Sequence, residues 1–408
     1  MFKEKRYLAT LVLIALAIPL MAATPIDPPH GDYTIELVEE MRVGPPEGAE
    51  HFIWTPQATS VEVNAQGHIF ISDTKAKQVI ELDENGRFLR QIAGPGNGPG
   101  EFRALSSFQI LKDGTAVAFE NMGGGGSSFS FFDKDMKYKD RKEQKSFQRI
   151  LQRVQFSPDA QTLAANYIAI NMEKRVMANH LGLLNRELEV QYALPSFEVP
   201  MPNPQKFGDA DYWSDYISKS VKASAEGLNG FMVFDQDGNI YMAVANTYEI
   251  TKWNPELEKV LTITHKYKPI PNTEEEIEAT IEPIRDMVDS MPDPNIKSIL
   301  TENVIRKGIL AAEFPPAKWP VQGIEVLEDG LILVLHDRNL ISKTDLRHIF
   351  DKKGQFLGTF SHPVVFSILG RSNLFKGGKF YNMEENEDGE CELIRYGYRL
   401  VSRKKTGG

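Results

Sequence analysis

The sequence predicts an all-β fold, a six-bladed β-propeller, on three observations. Val61 to Phe102 (VEVNAQGHIFISDTKAKQVIELDENGRFLRQIAGPGNGPGEF) holds four strand-like runs separated by turn signals. The same unit recurs along the chain with drifting spelling. Where the spacing is undisturbed, the turn glycines Gly67 and Gly114 lie 47 residues apart, and Gly330 and Gly378 lie 48 apart. Four strands repeated at that period are the signature of propeller blades.

The first unit is built from Val61–Val63, His68–Ser72, Val79–Leu82 and Phe88–Ile92. Gln66-Gly67 and Asn85-Gly86 supply the positive-φ residue that tight hairpins require. A lone four-stranded meander leaves an apolar face bare, so it demands copies of itself. Its first hairpin recurs as QILKDGTAVAFE, QFSPDAQTLAAN, VFDQDGNIYMAV, EVLEDGLILVLH and LFKGGKFYNME. Its second recurs as SFFDKDMKYKD, LGLLNRELEVQYAL, ITKWNPELEKVLTI, RHIFDKKGQFLGTF and CELIRYGYRLVS. The two alternate strictly, which gives six blades.

With GPGNGPGEF after its last strand, the first unit resembles the NHL-repeat type of six-bladed propeller found in exported bacterial proteins. Blade one carries the resemblance closely, and blades two to six keep only its rhythm of turns and strands. The resemblance implies a fold and a binding face. Such propellers include binding modules, lyases and lactone-type hydrolases, so it leaves the activity open.

Composition agrees. Of 408 residues, 41% are hydrophobic and 10% aromatic, enough for a packed core, and 31 Gly and 24 Pro suit many turns. The net charge of −10 argues against a general nucleic-acid binder, which needs a basic face for the phosphates. Lys3, Lys5 and Arg6 followed by the apolar run Leu8 to Leu20 read as a signal peptide over residues 1–23, with an uncleaved N-terminal anchor as the alternative. The expected location is secreted or periplasmic, and no other apolar run is long enough to span a membrane. Cys391 is the single cysteine, so no internal disulfide can form; it reads as a small half-buried strand residue.

Residues 24–32 read as a flexible lead-in and 33–403 as the propeller. Tyr33 to Val43 is a lone strand with no local partner. Pairing Thr34–Met41 with the blade containing Phe380 to Leu400 would close the ring and remove its exposed edges. Blades one to six are expected at Thr59–Ala93, Leu105–Lys145, Gln152–Leu194, Gly230–Thr264, Val321–Phe360 and Val364–Ser402. Insertions interrupt at 195–229 and 268–320. The first reads as a loop whose Tyr212, Trp213 and Tyr216 either tie it down or form a ligand platform. In the second, Thr273 to Glu276 reads as a capping box. Ile277, Ile281, Ile284, Val288 and Met291 follow on one helical face, with a kink at Pro283. Asp293-Pro294 starts a second helix ending near Gly308. This two-helix insertion between blades four and five must lay its apolar stripe on the propeller, as a cap, or on a partner protein.

Both insertions fall on the face that carries the loops between second and third strands, and function concentrates on such loops. Counting six residues from each turn glycine or its stand-in gives Asp73, Glu120, Asn166, Val244, His336 and Glu384. Oxygen ligands of this kind suit a hard divalent cation such as Ca²⁺. His336 among carboxylates also suits acid–base work. The plainer reading is that these side chains hydrogen-bond neighbouring loops. First-strand starts lie nearer the axis and supply Gln57, Arg103, Arg153, Asn229, Gln322 and His362. Arg103 and Arg153 are candidates to face an anionic ligand together, or to form structural ion pairs. Asn121 to Ser128 lacks the Lys-Ser/Thr of a phosphate loop, and no HExxH or GxSxG occurs. A lyase of the NHL type implies convergent histidines, for which His336 and His362 are the candidates.

The sequence therefore points to an exported monomeric propeller binding a small molecule, peptide or partner protein on its capped face. Its candidate ligand residues are Arg103, Arg153, Asp73, Glu120, Asn166, His336 and Glu384. The alternative is a metal-dependent propeller enzyme, a lyase or lactonase-like hydrolase.

Overall fold

The computed structural model describes residues 31–44, 54, 58–122, 126–144, 149–194, 197–226, 230–290, 294–363, 373–386 and 390–403. The expected signal peptide and lead-in lie almost wholly outside them, as do Gln57 and Asn229.

Strand β1 (Tyr33–Val43) precedes the blades. Blade one is β2 (Thr59–Val63), β3 (Ile69–Asp73), β4 (Gln78–Leu82) and β5 (Phe88–Ala93). Blade two is β6 (Leu105–Ile110), β7 (Ala116–Asn121), β8 (Ser127–Phe132) and β9 (Tyr138–Gln144). Blade three is β10 (Arg149–Phe156), β11 (Thr162–Asn171), β12 (Val176–Asn185) and β13 (Val190–Ala193), with β14 (Phe197–Pro200) added. Blade four is β15 (Gly230–Phe234), β16 (Ile240–Val244), β17 (Glu249–Trp253) and β18 (Lys259–Thr264). Blade five is β19 (Gly323–Val326), β20 (Ile332–Asn339), β21 (Thr344–Phe350) and β22 (Phe356–Pro363). Among the described residues blade six has three strands of its own, β23 (Asn373–Lys376), β24 (Lys379–Glu385) and β25 (Cys391–Ser402).

The fourth strand of blade six is β1, which runs antiparallel to β25 from Tyr33↔Ser402 to Val43↔Leu393. Beyond that pairing, Tyr33 meets Gly358 of β22 in parallel, so blades five and six form one eight-stranded sheet. The expected closure is therefore found, with β1 paired along its length to β25 and touching β22 at its first residue.

The hairpins form where the sequence places them because Gly67 and Gly86 take φ of 85° and 81°, which L side chains resist. Inner strands are buried on both faces. The apolar cores lie between successive blades, and they run all the way round. Phe70 and Val79 pack on Phe108 and Phe132; Phe119 packs on Phe156 and Leu163; Leu181 and Leu183 pack on Met232 and Ile240. Tyr241 and Ile250 pack on Ile332 and Phe350; Leu333 and Ile349 pack on Phe375 and Phe380. Finally Leu374 and Met383 pack on Ile69 and Ile80, joining the sixth blade to the first. Six interfaces with six cores define the ring.

A seventh core belongs to a helical layer on one face. The insertion at 195–229 is not a loop: β14 extends blade three, and helix α1 (Ala210–Glu226) follows it. Trp213, Tyr216, Ile217 and Val221 are buried on one side of α1. Hydrogen bonds tie the aromatic group down, from Trp213 Nε1 to the Phe207 carbonyl (2.9 Å) and from Tyr216 Oη to the Pro200 carbonyl (3.0 Å). Among the described residues the second insertion holds four short helices rather than two, α2 (Glu274–Ala279), α3 (Ile281–Ser290), α4 (Pro294–Ile299) and α5 (Glu302–Leu310), while Met291 and Asp293 lie outside those residues. The first break falls at Thr280, and Pro283 sits in the first turn of α3, where its missing N–H costs nothing. The Thr273 hydroxyl bonds the Glu276 carboxylate at 2.9 Å instead of a helix amide, so the capping box is incomplete. The apolar stripe lies neither on a partner nor chiefly on the ring. Ile281, Val288, Ile296, Ile305 and Ile309 pack on α1 and on Ile150, Ile168, Met177 and Val199 of blade three. Strands β11 and β12, 10 residues each, supply that extra height.

Candidate ligand-binding channel

The first strands of all six blades surround a channel of about 1270 Å³, lined at one end by Phe197, Ser224 and Trp319 from the helical layer and its connections. Its two halves differ in chemistry. Glu40, Glu62, Glu84, Asp235, Glu325 and Glu328 supply the wall's carboxylates, all in the half toward the turns between first and second strands. The half beneath the layer carries Arg153 and Arg338, and Arg347, level with Gly323, reaches down to Glu325 at 2.6 Å. Asn121, Gln152, Asn166, Asn179 and Gln322 add amides beneath the layer, while Phe197 and Trp319 come in from the insertions.

Arg153 is placed by register: it pairs with Asn166 across β10 and β11, so both side chains stand at the same height on the wall. Arg338 is tied to the neighbouring strand. It donates two hydrogen bonds to the carboxylate of Asp345, at 2.7 and 2.8 Å. Burial would raise the Asp345 carboxyl, but Arg338 and then Arg347 hold it below the usual carboxylate range. Gln322 uses its amide to bond the His336 carbonyl (3.2 Å) and the Arg338 N–H (3.1 Å), which fixes the start of blade five. Trp319 donates its indole N–H to the Ala225 carbonyl at 3.2 Å, linking the channel wall to the end of α1.

The other sequence-named residues stand apart from one another. Asp73 accepts the N–H groups of Lys75 and Ala76, both at 2.8 Å, and so shapes the loop after β3. Glu120, fully buried, accepts from the Arg103 N–H (2.7 Å) and the Ser128 hydroxyl (2.7 Å) and faces Arg141 at 3.4 Å. Arg103 turns outward to Glu143 at 2.8 Å, so it does not join Arg153 on the channel wall. Glu384 accepts from Asn382 and from Tyr396 at 2.9 and 2.8 Å. His336 and His362 are both buried but in different places. His336 Nδ1 donates to the Pro320 carbonyl at 2.8 Å. His362 lies on β22 of blade five rather than at the start of blade six, and burial pushes it down to about 4. Strand ends fan outward from the axis, which is why the counted positions form no ring. No group of three His, Cys, Asp or Glu among the described residues is arranged to hold a metal ion.

Sequence reasoning missed a buried cluster between blades four and five. His348 stacks on His336 with centroids 4.3 Å apart, meets His265 at 5.1 Å, and shares a 2.7 Å hydrogen bond with Tyr248. Burial, reinforced by the other two histidines, pushes His348 down to about 2. The three residues are scattered in the sequence and meet only through blade packing. Phe197 and Trp319 were missed for a related reason, since aromatics in insertions carry no period. Cys391 is buried among apolar side chains, and burial pushes its thiol up to about 12, which leaves it unreactive.

Ring, closure and channel together define a six-bladed β-propeller. Residues 57–124, covering blade one and the first hairpin of blade two, match the family described as DUF5128: 6-bladed beta-propeller. No curated protein sequence matches the chain. Similar solved structures include a protein of Bacteroides fragilis named for presumed export, 12% identical over 90% of this chain and 95% of that one, TM-score 0.48. A DUF4221 family member from Bacteroides vulgatus is 10% identical over 91% and 99%, TM-score 0.48. Virginiamycin B lyase from Staphylococcus aureus is 9% identical over 89% and 99%, TM-score 0.41. Among the described residues no helix is long and apolar enough to cross a membrane.

Proposed function

We propose that this chain is an exported propeller, secreted or periplasmic, that binds a small molecule or short peptide in the half of the channel beneath its helical layer. The observation that carries this reading is the uneven wall: Arg153, five amides and two aromatics at one end, with the carboxylates, partly matched by Lys112, Lys376, Lys379 and Arg395, toward the other. Guanidinium and amide donors beside apolar rings suit a ligand with an anionic group on a flat or apolar body. Asn166, level with Arg153, would take a second polar atom of the same group.

The test is a thermal-shift panel of small carboxylates, phosphate esters and dipeptides on the full chain. Anionic members should raise the melting temperature of the native protein and lose that effect in Arg153→Ala. Stabilisation by cations alone, or an equal effect in the variant, would overturn the reading.

A further inference from the structure

The second insertion leaves and rejoins the ring through a narrow neck. Pro271 bridges Ala317, the Lys318 N–H bonds the Ile270 carbonyl at 2.8 Å, and Asn272 bonds the carbonyls of Pro315 and Pro316 at 2.7 and 3.2 Å. At this neck three charged side chains meet with almost no access to water. Glu276 comes from α2 and is 1% exposed; Lys318 comes from the returning chain; Asp337 comes from β20 of blade five. Lys318 Nζ contacts Asp337 directly and stands 3.8 Å from Glu276 Oε1, an oxygen with no hydrogen-bond donor of its own.

One ammonium therefore serves two carboxylates. With all three ionised the cluster carries a buried negative charge, an arrangement that burial penalises strongly. With a proton on Glu276 it is neutral. We propose that Glu276, Lys318 and Asp337 form a proton-operated latch, holding the helical layer on blade five when Glu276 is protonated and loosening it when Glu276 ionises.

The other groups around the cluster do not supply the missing positive charge. Thr273 offers Glu276 a hydroxyl at 2.9 Å. On β20, His336 is held neutral by burial, and Arg338 is committed to Asp345 on β21, which Arg347 also faces at 3.5 Å. From α5, Arg306 engages Glu278 and Glu302, and Lys307 engages Asp211 of α1. From α3, Arg285 faces Glu282 and Glu302. Glu274 and Glu275 on α2 itself are exposed.

Burial pushes Glu276 up to about 7 against the pull of Lys318, from an ordinary 4.5 that it regains when the layer lifts and water enters. Since the docked state holds the proton more tightly, docking is firmest below pH 4.5 and weakens as pH rises toward 7. The latch belongs to the layer itself, so its test needs no ligand and stands apart from the binding reading.

Hydrogen exchange of the full chain, read in peptides from residues 273–310 and corrected for the intrinsic pH dependence of exchange, provides that test. Protection should fall by some tens of fold between pH 5 and pH 7.5, on the order set by that shift, while blade one stays unchanged. Glu276→Gln should keep the acid-state protection at both pH values. Asp337→Asn leaves Lys318 to Glu276 alone and should move the transition to lower pH. Equal wild-type protection at the two pH values, or a wild-type pH response in either variant, would overturn the proposal; should Glu276→Gln fail to fold, Asp337→Asn still decides.

Discussion

A Cβ placed on Gly308 would lie 2.8 Å from the backbone carbonyl oxygen of Ser214, so α5 and α1 touch main chain to main chain. The same Cβ would meet Ile217 at 2.8 Å, and the Ser214 hydroxyl already bonds the Val304 carbonyl at 3.1 Å. Neither helix can yield without the other. Gly308→Val should therefore cost about 1–3 kcal/mol of helical-layer stability through overpacking. Hydrogen exchange should rise in α1 and α5 and remain at its native level in blade one.

Gly358 presents a second close approach, this time at the seam between blades five and six. A side chain there would overlap the Tyr33 carbonyl, because β1 crosses directly over it. Gly358→Val should lower stability by about 1–3 kcal/mol or more, measured by denaturant unfolding. Gly323→Ala is the control: its Cβ would meet Leu335 at an ordinary 3.4 Å, and stability should barely change.

Asp345 holds two arginines in the wall of blade five with no exposure of its own. Removing one partner of a buried ion pair leaves an uncompensated charge, which costs about 3–5 kcal/mol. Asp345→Ala should show that loss in urea unfolding. Arg338→Met with Asp345→Leu, which removes both charges, should recover much of it.

His348 sets an acid limit on stability. Its folded value of about 2 lies far below the ordinary 6.5, so the native state keeps it neutral while the unfolded chain takes up a proton. The stabilisation is complete above pH 6.5 and is lost as pH falls from there toward 2. His348→Gln retains a partner for Tyr248. It should flatten unfolding free energy against pH between 4 and 6 by about 1.4 kcal/mol per unit, the slope for one proton.

The ring was legible because its signals are local. Asn85-Gly86 and Gln66-Gly67 mark hairpins in the sequence itself, and a strand such as β1 with no neighbour has few places to go. Helix α1 was hidden although Trp213, Tyr216, Ile217, Ser220, Val221 and Ser224 recur at helical spacing. Two of those six are serines, and four prolines just upstream made the stretch read as loop. With α1 unseen, the stripe that starts at Ile277 had no visible place to lie but the ring or a partner protein. The candidate site was legible only in part. Arg153 was found as a first-strand start and Asn166 by counting from a turn, and strand register sets both on the inner wall. Asp73 and Glu120 came from the same count as Asn166, yet neighbouring backbone N–H groups bond one oxygen of each. Which carboxylates bind backbone and which face open space depends on loop paths that no residue spacing records.

The pairing of β1 with β25 also fixes when this molecule can finish folding. The ribosome releases the final partner about 360 residues after the first emerges, and contacts so distant in sequence are slow to form. Until then both ends of a nascent five-blade arc present unpaired backbone, the kind of edge that recruits other chains. Chains cut short before residue 391 should be aggregation-prone out of proportion to their missing mass, because what they lack is the stitch that turns an arc into a circle.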